Sequence, residues 1–151
     1  MRVHGCKTVD VLASPDRCLD ALLDLARYPE WYPGVTEAQT LEGDGGEPTA
    51  RLTFSAGIAI LPDIECVLAL EVEGQGTVRP RALSGPLQLD GPGWTLTAQA
   101  DGHTRVSYDI DVDMPVPGGF MTERLIKGKA EHYLIDEPVD ALKRRVEGDG
   151  P

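Results

Sequence analysis

The spacing of apolar and polar side chains divides this chain into three parts. Val9 and Val11 alternate with Thr8 and Asp10, which predicts a first strand over residues 3–12. Ser14-Pro15 then marks a helix start. Serine accepts from the free N–H groups of the first turn, and proline at the first helical position gives up no hydrogen bond. Leu22, Leu25 and Ala26 supply a core-facing stripe. The helix should end before Pro29, because proline disfavours helical geometry in the residue ahead of it. A further short helical turn fits around Trp31.

After Gly34 the period falls from 3.6 to 2, and strands follow one another. Residues 35–42 make one, and Gly43-Asp44-Gly45-Gly46 turns the chain. In residues 49–58, Ala50, Leu52, Phe54, Ala56 and Ile58 oppose Arg51, Thr53 and Ser55. In residues 64–73, Ile64, Cys66, Leu68, Leu70 and Val72 oppose Glu65, Glu71 and Glu73. Residues 77–84 form a weaker strand whose Pro80 predicts an edge or a bulge. A short strand fits between Gly85-Pro86 and Gly91-Pro92-Gly93, and Trp94, Leu96, Ala98 and Ala100 mark the next. Asp101-Gly102 signals a hairpin, after which Val106, Tyr108, Ile110 and Val112 alternate with Ser107, Asp109, Asp111 and Asp113. Strands with one apolar and one acidic face predict an antiparallel sheet, covered on one side and wet on the other.

The cover is a long C-terminal helix, roughly 119–147. Its stripe of Met121, Leu125, Gly128, His132, Ile135, Val139, Leu142 and Val146 steps by fours and threes. Pro138 should kink it. Gly128 leaves space and a buried His132 wants a partner, so the pair predicts a cavity beneath the helix's N-terminal half.

Composition narrows the partners. At 151 residues one domain is expected, over residues 1–147, with a disordered tail at 148–151. The net charge of −11 argues against nucleic acid and against an anionic membrane surface. No apolar run approaches the ~20 residues of a membrane span. Cys6, Cys18 and Cys66 are an odd, scattered set without a secretory leader, which reads as reduced thiols in the cytoplasm. No zinc motif, phosphate loop or nucleophile elbow is present, and no cofactor or metal is expected.

The order strand, helix, aromatic-proline break, about six strands and long helix accompanies Ser14-Pro15 and Tyr28-Pro29-Glu30-Trp31-Tyr32-Pro33-Gly34-Val35. With Gly93-Trp94-Thr95-Leu96 and Thr104-Arg105-Val106-Ser107-Tyr108, it resembles the START-like superfamily. Within that group it is most similar to the polyketide cyclase/dehydrase and lipid-transport family. The resemblance implies an α+β helix-grip fold, in which a curved antiparallel sheet of about seven strands wraps the C-terminal helix around a hydrophobic cavity. It implies binding or transport of a lipid-like, quinone or aromatic polyketide molecule. Alternatively, it implies a polyketide aromatase/cyclase working in the same cavity. A partner-binding module like the ribosome-associated or quinone-chaperone branches is a third reading, which the charge disfavours. The Trp31 segment itself reads as a structural cap on one end of the grip.

On this reading the cavity is lined by Phe54, Cys66, Leu68, Trp94, Leu96, Tyr108, Met121, Gly128 and His132. Arg81 joins them if strand 77–84 turns Arg79 and Arg81 inward, where they could hold an enolate oxygen. His132 could bond a ligand carbonyl or shuttle a proton, and Tyr108 could orient a ligand. Each has a plainer reading as well: a satisfied edge histidine, a core aromatic, a pair of solvated arginines. Cys66 reads as a small core hydrophobe, and Asp109, Asp111 and Asp113 as a solvated face rather than a calcium loop. His4 and His103 read as exposed. Apolar residues occupy nearly every inward position, so a carrier is favoured over a cyclase.

Overall fold

The computed structural model describes residues 1–42, 46–55 and 62–148. The Gly43–Gly45 part of the first predicted turn, the end of the 49–58 strand and residues 149–151 of the tail lie outside them. The strands are β1 (Arg2–Val11), β2 (Val35–Leu41), β3 (Thr49–Phe54), β4 (Ile64–Glu73), β5 (Thr77–Ser84), β6 (Gln88–Ala98) and β7 (Thr104–Asp113). They form one antiparallel sheet in the order β1-β7-β6-β5-β4-β3-β2. Strand alternation decides what the sheet covers. On β7, Val106, Tyr108, Ile110 and Val112 are buried while their neighbours reach solvent.

β1 and β2 are consecutive in sequence yet sit at opposite edges, and the helical crossing between them closes one end of the sheet. Helix α1 (Pro15–Leu23) begins as expected, with the Ser14 side chain accepting from Arg17 N–H. It stops earlier than Pro29 requires: Asp24 leaves helical geometry and a 3₁₀ turn, Leu25–Arg27, leads into α2 (Tyr28–Trp31). This break keeps Leu22 and Leu25 buried but rotates Ala26 into solvent. Gly34 then turns the chain into β2 at φ +86, a conformation that suits glycine, and a Cβ there would meet the Phe54 ring and the Ser55 carbonyl at 2.5 Å.

Two irregularities shape the middle of the sheet. β6 runs as one strand through the predicted glycine-proline break, with an extra residue between Asp90 and Gly93 that bulges it. β5 is not an edge in the strand order. Its ladder to β6 nevertheless consists of Thr77↔Thr95 and Val78↔Trp94 alone, and Pro80, without an N–H, lies just past that parting.

The C-terminal helix consists of α3 (Gly119–Glu131), a π-helical turn (His132–Asp136) and α4 (Glu137–Gly148). Pro138 cannot donate to the Leu134 carbonyl and its ring crowds that oxygen. The turn ahead of it widens instead, with Glu137 N–H bonded to the His132 carbonyl. A widened turn holds one extra residue, so the inward stripe changes phase. Val146, Leu142, Val139 and Ile135 are buried as the spacing predicts, but the next inward positions are Ala130 and Ile126. Met121 and Leu125 are instead 71% and 80% exposed. The π turn packs on β1 at Gly5, where a built Cβ would come within 2.8 Å of Ile135 Cδ1.

Candidate functional site

A cavity lies between the sheet and the π turn, partly open to solvent, with about 80 Å³ available to the centres of water-sized spheres. The helical crossing contributes Tyr28 and Tyr32 to its wall, and the C-terminal helix contributes Tyr133, Leu134 and Pro138. The sheet supplies inward positions at two-residue spacing: Leu52 and Phe54 on β3, Cys66, Leu68 and Leu70 on β4, Tyr108 and Val112 on β7. Val35, Trp94, Pro80, Leu87 and Leu89 complete it, the last three lying around the parting of β5 from β6. No charged side chain is among these lining residues.

Five residues singled out from the sequence meet here: Phe54, Cys66, Leu68, Trp94 and Tyr108. The other five lie elsewhere. Leu96 is buried on β6 two residues beyond Trp94, and is core rather than wall. Arg81 faces outward. Pro80, paired with Leu70, takes the inner face, so both neighbouring arginines fall outside, where Arg81 bonds Glu71. Met121, Gly128 and His132 are turned to solvent by the phase change at the π turn, and a Cβ on Gly128 would meet nothing within 4 Å. His132 is held on the outside by Glu137 Oε1 at 2.9 Å and Asp136 Oδ2 at 3.4 Å. The cavity therefore sits under residues 133–138 and is partly open, in place of the space expected beneath the helix's N-terminal half.

Tyr28 and Tyr32 escaped the sequence reading, which took their segment as a cap. They are four residues apart across a single helical turn, which brings the rings into parallel contact, 4.8 Å between centroids and 8° between planes. Trp31 packs edge-on against Tyr28 at 5.3 Å and is outside the lining. Also in the lining, Trp94 and Tyr108 are direct partners on β6 and β7 and stack at 4.1 Å and 18°. Each stacked pair is worth about 0.5–1.5 kcal/mol beyond its buried area.

Among the described residues, the polar side-chain atoms of the lining are the hydroxyls of Tyr28, Tyr32, Tyr108 and Tyr133, the Trp94 indole N–H and the Cys66 thiol. Tyr28 spends its proton on the Leu22 carbonyl. Burial, partly offset by the neighbouring Tyr108 hydroxyl, pushes the Tyr32 phenol up to about 12. Burial, then the neighbouring phenol Tyr32, hold Tyr108 well above the ordinary range. Burial and then Glu65 push the Cys66 thiol up, so it remains a thiol, not a nucleophilic thiolate. The wall thus offers neutral hydrogen-bond donors in an apolar setting and no group poised to take a proton near neutrality.

A curved antiparallel sheet gripping a C-terminal helix over a ligand-sized hollow defines the helix-grip, START-like class of proteins. Within that class the chain belongs to the family described as polyketide cyclase / dehydrase and lipid transport, which matches residues 2–147. Similar solved structures include TTHA0849 from Thermus thermophilus, at TM-score 0.79 and 16% identity, with all of both chains covered. The Zhui aromatase/cyclase from a Streptomyces species has TM-score 0.75 and 18% identity, covering 97% of this chain and 94% of that one. A STAR-related lipid transfer protein from Xanthomonas axonopodis has TM-score 0.67 and 23% identity, over 94% of this chain and 84% of that one. At these identities the likeness is one of fold. No curated protein matches the sequence. No helix among the described residues is long and apolar enough to cross a membrane.

Proposed function

We propose that this protein binds and carries a small hydrophobic molecule in the cavity between the sheet and the π turn. The observation behind this reading is the lining: among the described residues it comprises seventeen, each apolar, aromatic or cysteine, and none charged. A cyclase acting on a polyketide needs convergent acids and bases that exchange protons near neutral pH. Here Arg81 and His132 lie outside, and burial holds the Tyr28, Tyr32 and Tyr108 phenols in their protonated form. The space also favours a compact ligand. The hollow is small, about 80 Å³. That suits one ring with its substituents, with further reach through the open side.

Native mass spectrometry of the protein purified from its own host tests this directly. The expected result is a bound mass that is lost on unfolding. In parallel, α-methylstyrene, a neutral one-ring probe, should shift the indole N–H resonance of Trp94 saturably. A bare protein mass together with an unmoved Trp94 resonance would overturn the reading.

A further inference from the structure

We infer that the π turn at His132–Asp136 is a register switch for α3, set by the occupant of the cavity. When a hydrophobic guest longer than the hollow is bound, the extra residue of the turn is withdrawn and α3 turns about its own axis. Leu125 and Met121 then replace Ile126 and Ala130 on the inward side. This rests on the proposed function above and adds how the cavity covers a guest that outgrows it.

The chain carries two inward faces for this helix. The stripe of Met121, Leu125, Gly128 and His132 runs in unbroken phase into Ile135, Val139, Leu142 and Val146. The structure buries the second half of that stripe, but in α3 it buries Ile126 and Ala130 and leaves Met121 and Leu125 exposed. One residue corresponds to about 100° of helix rotation. The single extra residue held by the widened turn is thus the difference between the two faces, and the neighbours Leu125 and Ile126 change places between them. Each face offers two apolar side chains, so polarity excludes neither. Of the thirteen residues of α3, Ile126 and Ala130 are the buried ones, so the packing to be exchanged is small.

The switch is coupled to the cavity because the turn is the cavity's ceiling. Tyr133 and Leu134 lie in the π turn and Pro138 in the first turn of α4, and all three line the hollow. A ligand shifts an equilibrium only by touching its two states differently. In the exchanged register Met121 and Leu125 add apolar wall beyond the π turn, and Gly128, without a side chain, leaves room beside them. Two features oppose the exchange. The Pro138 ring favours the widened turn. His132 would also give up Glu137 and Asp136, at 2.9 and 3.4 Å, as it turned inward. Without a guest these hold α3 in the register seen, and a guest that reaches past the hollow tips it.

Labelling of single cysteines with a maleimide tests this. Leu125→Cys and Ile126→Cys are each made together with Cys6→Ser, since Cys6 is the exposed native thiol and Cys18 and Cys66 are buried. A thermal melt checks that each variant is folded, and Ala130→Cys, at the other buried position, stands in if Ile126→Cys is not. Without a guest, the thiol at 125 should react fast and the thiol at 126 slowly. Hexylbenzene is the long neutral probe, its binding read from the Trp94 indole resonance. At saturation it should slow Leu125→Cys about tenfold and speed Ile126→Cys by about the same factor, as when a state populated at roughly a tenth becomes the major one. Pro138→Ala should move both rates in the same directions with no guest present. Both rates falling together would mean that α3 packs down without turning. Rates unmoved with hexylbenzene bound, or unmoved by Pro138→Ala, would mean a fixed helix. Either result overturns the switch and leaves the carrier reading standing, as does binding of α-methylstyrene without binding of hexylbenzene. If neither probe moves the Trp94 resonance, both readings fall.

Discussion

Tyr28, Tyr32 and Tyr108 concentrate the unusual chemistry of this protein. All three have their pKa raised, first by burial, and Tyr32 stands at about 12. A group whose pKa is higher in the folded than in the unfolded chain adds stability below its unfolded value. For tyrosine that value is ~10, and the contribution is lost as pH rises toward the folded one. Tyrosinate absorbance from these residues should therefore appear together with loss of near-ultraviolet circular dichroism as pH climbs from about 10 to 12. Ionisation of all tyrosines at pH 10 with the fold intact would contradict the burial described. Tyr28 and Tyr32 were visible in the sequence as part of an aromatic-proline cluster, but their facing was not, whereas strand alternation gave the inward facing of Tyr108. A short helical turn after an early helix end decides which of Tyr28, Trp31 and Tyr32 points into the wall, and nothing in their composition encodes that angle. His132 shows the reverse error. Its place in an apolar stripe suggested the interior, and one widened turn put it outside with Glu137.

Among the elements, the strands were the most legible. The bounds of β4 and β5 match the alternation read from the sequence, because a two-residue period leaves one facing per side chain. The exception is Pro80, which predicted an edge. It sits within the sheet, beside a ladder that has stopped. The C-terminal helix was legible in extent but only half in facing. The spacing of fours and threes assumes 3.6 residues per turn throughout, and the π turn ahead of Pro138 breaks that assumption. Two truncations measure the consequence. Leu142, fully buried, should cost about 2–5 kcal/mol as Leu142→Ala in urea unfolding. Leu125→Ala should stay within about 0.5 kcal/mol, since it removes an exposed side chain. Equal costs would place both leucines in one continuous stripe and remove the phase change.

For the whole molecule, charge and shape act separately. Twenty-five acidic residues against fourteen basic ones leave −11. Part of this acid lines the outer face of the sheet, where Asp111 meets His4 at 2.7 Å and Asp113 lies two residues further along the same strand. The ion pairs around them are largely exposed, and such pairs contribute about 0–1 kcal/mol each. The excess of like charge should therefore dominate. The melting temperature at pH 7 should rise between 10 mM and 300 mM sodium chloride, and a fall would mean that the ion pairs outweigh the repulsion.

The short ladder between β5 and β6 gives the sheet a mechanical character of its own. The strands divide into two ribbons, β1-β7-β6 and β5-β4-β3-β2, clasped by two residue pairs at one end of β5. Pro80, Leu87 and Leu89 flank the slit and also wall the cavity. Beyond Val78 no ladder pair joins the two ribbons, so this flank of the cavity is closed by side chains, Pro80 and Leu89 among them, rather than by backbone hydrogen bonds.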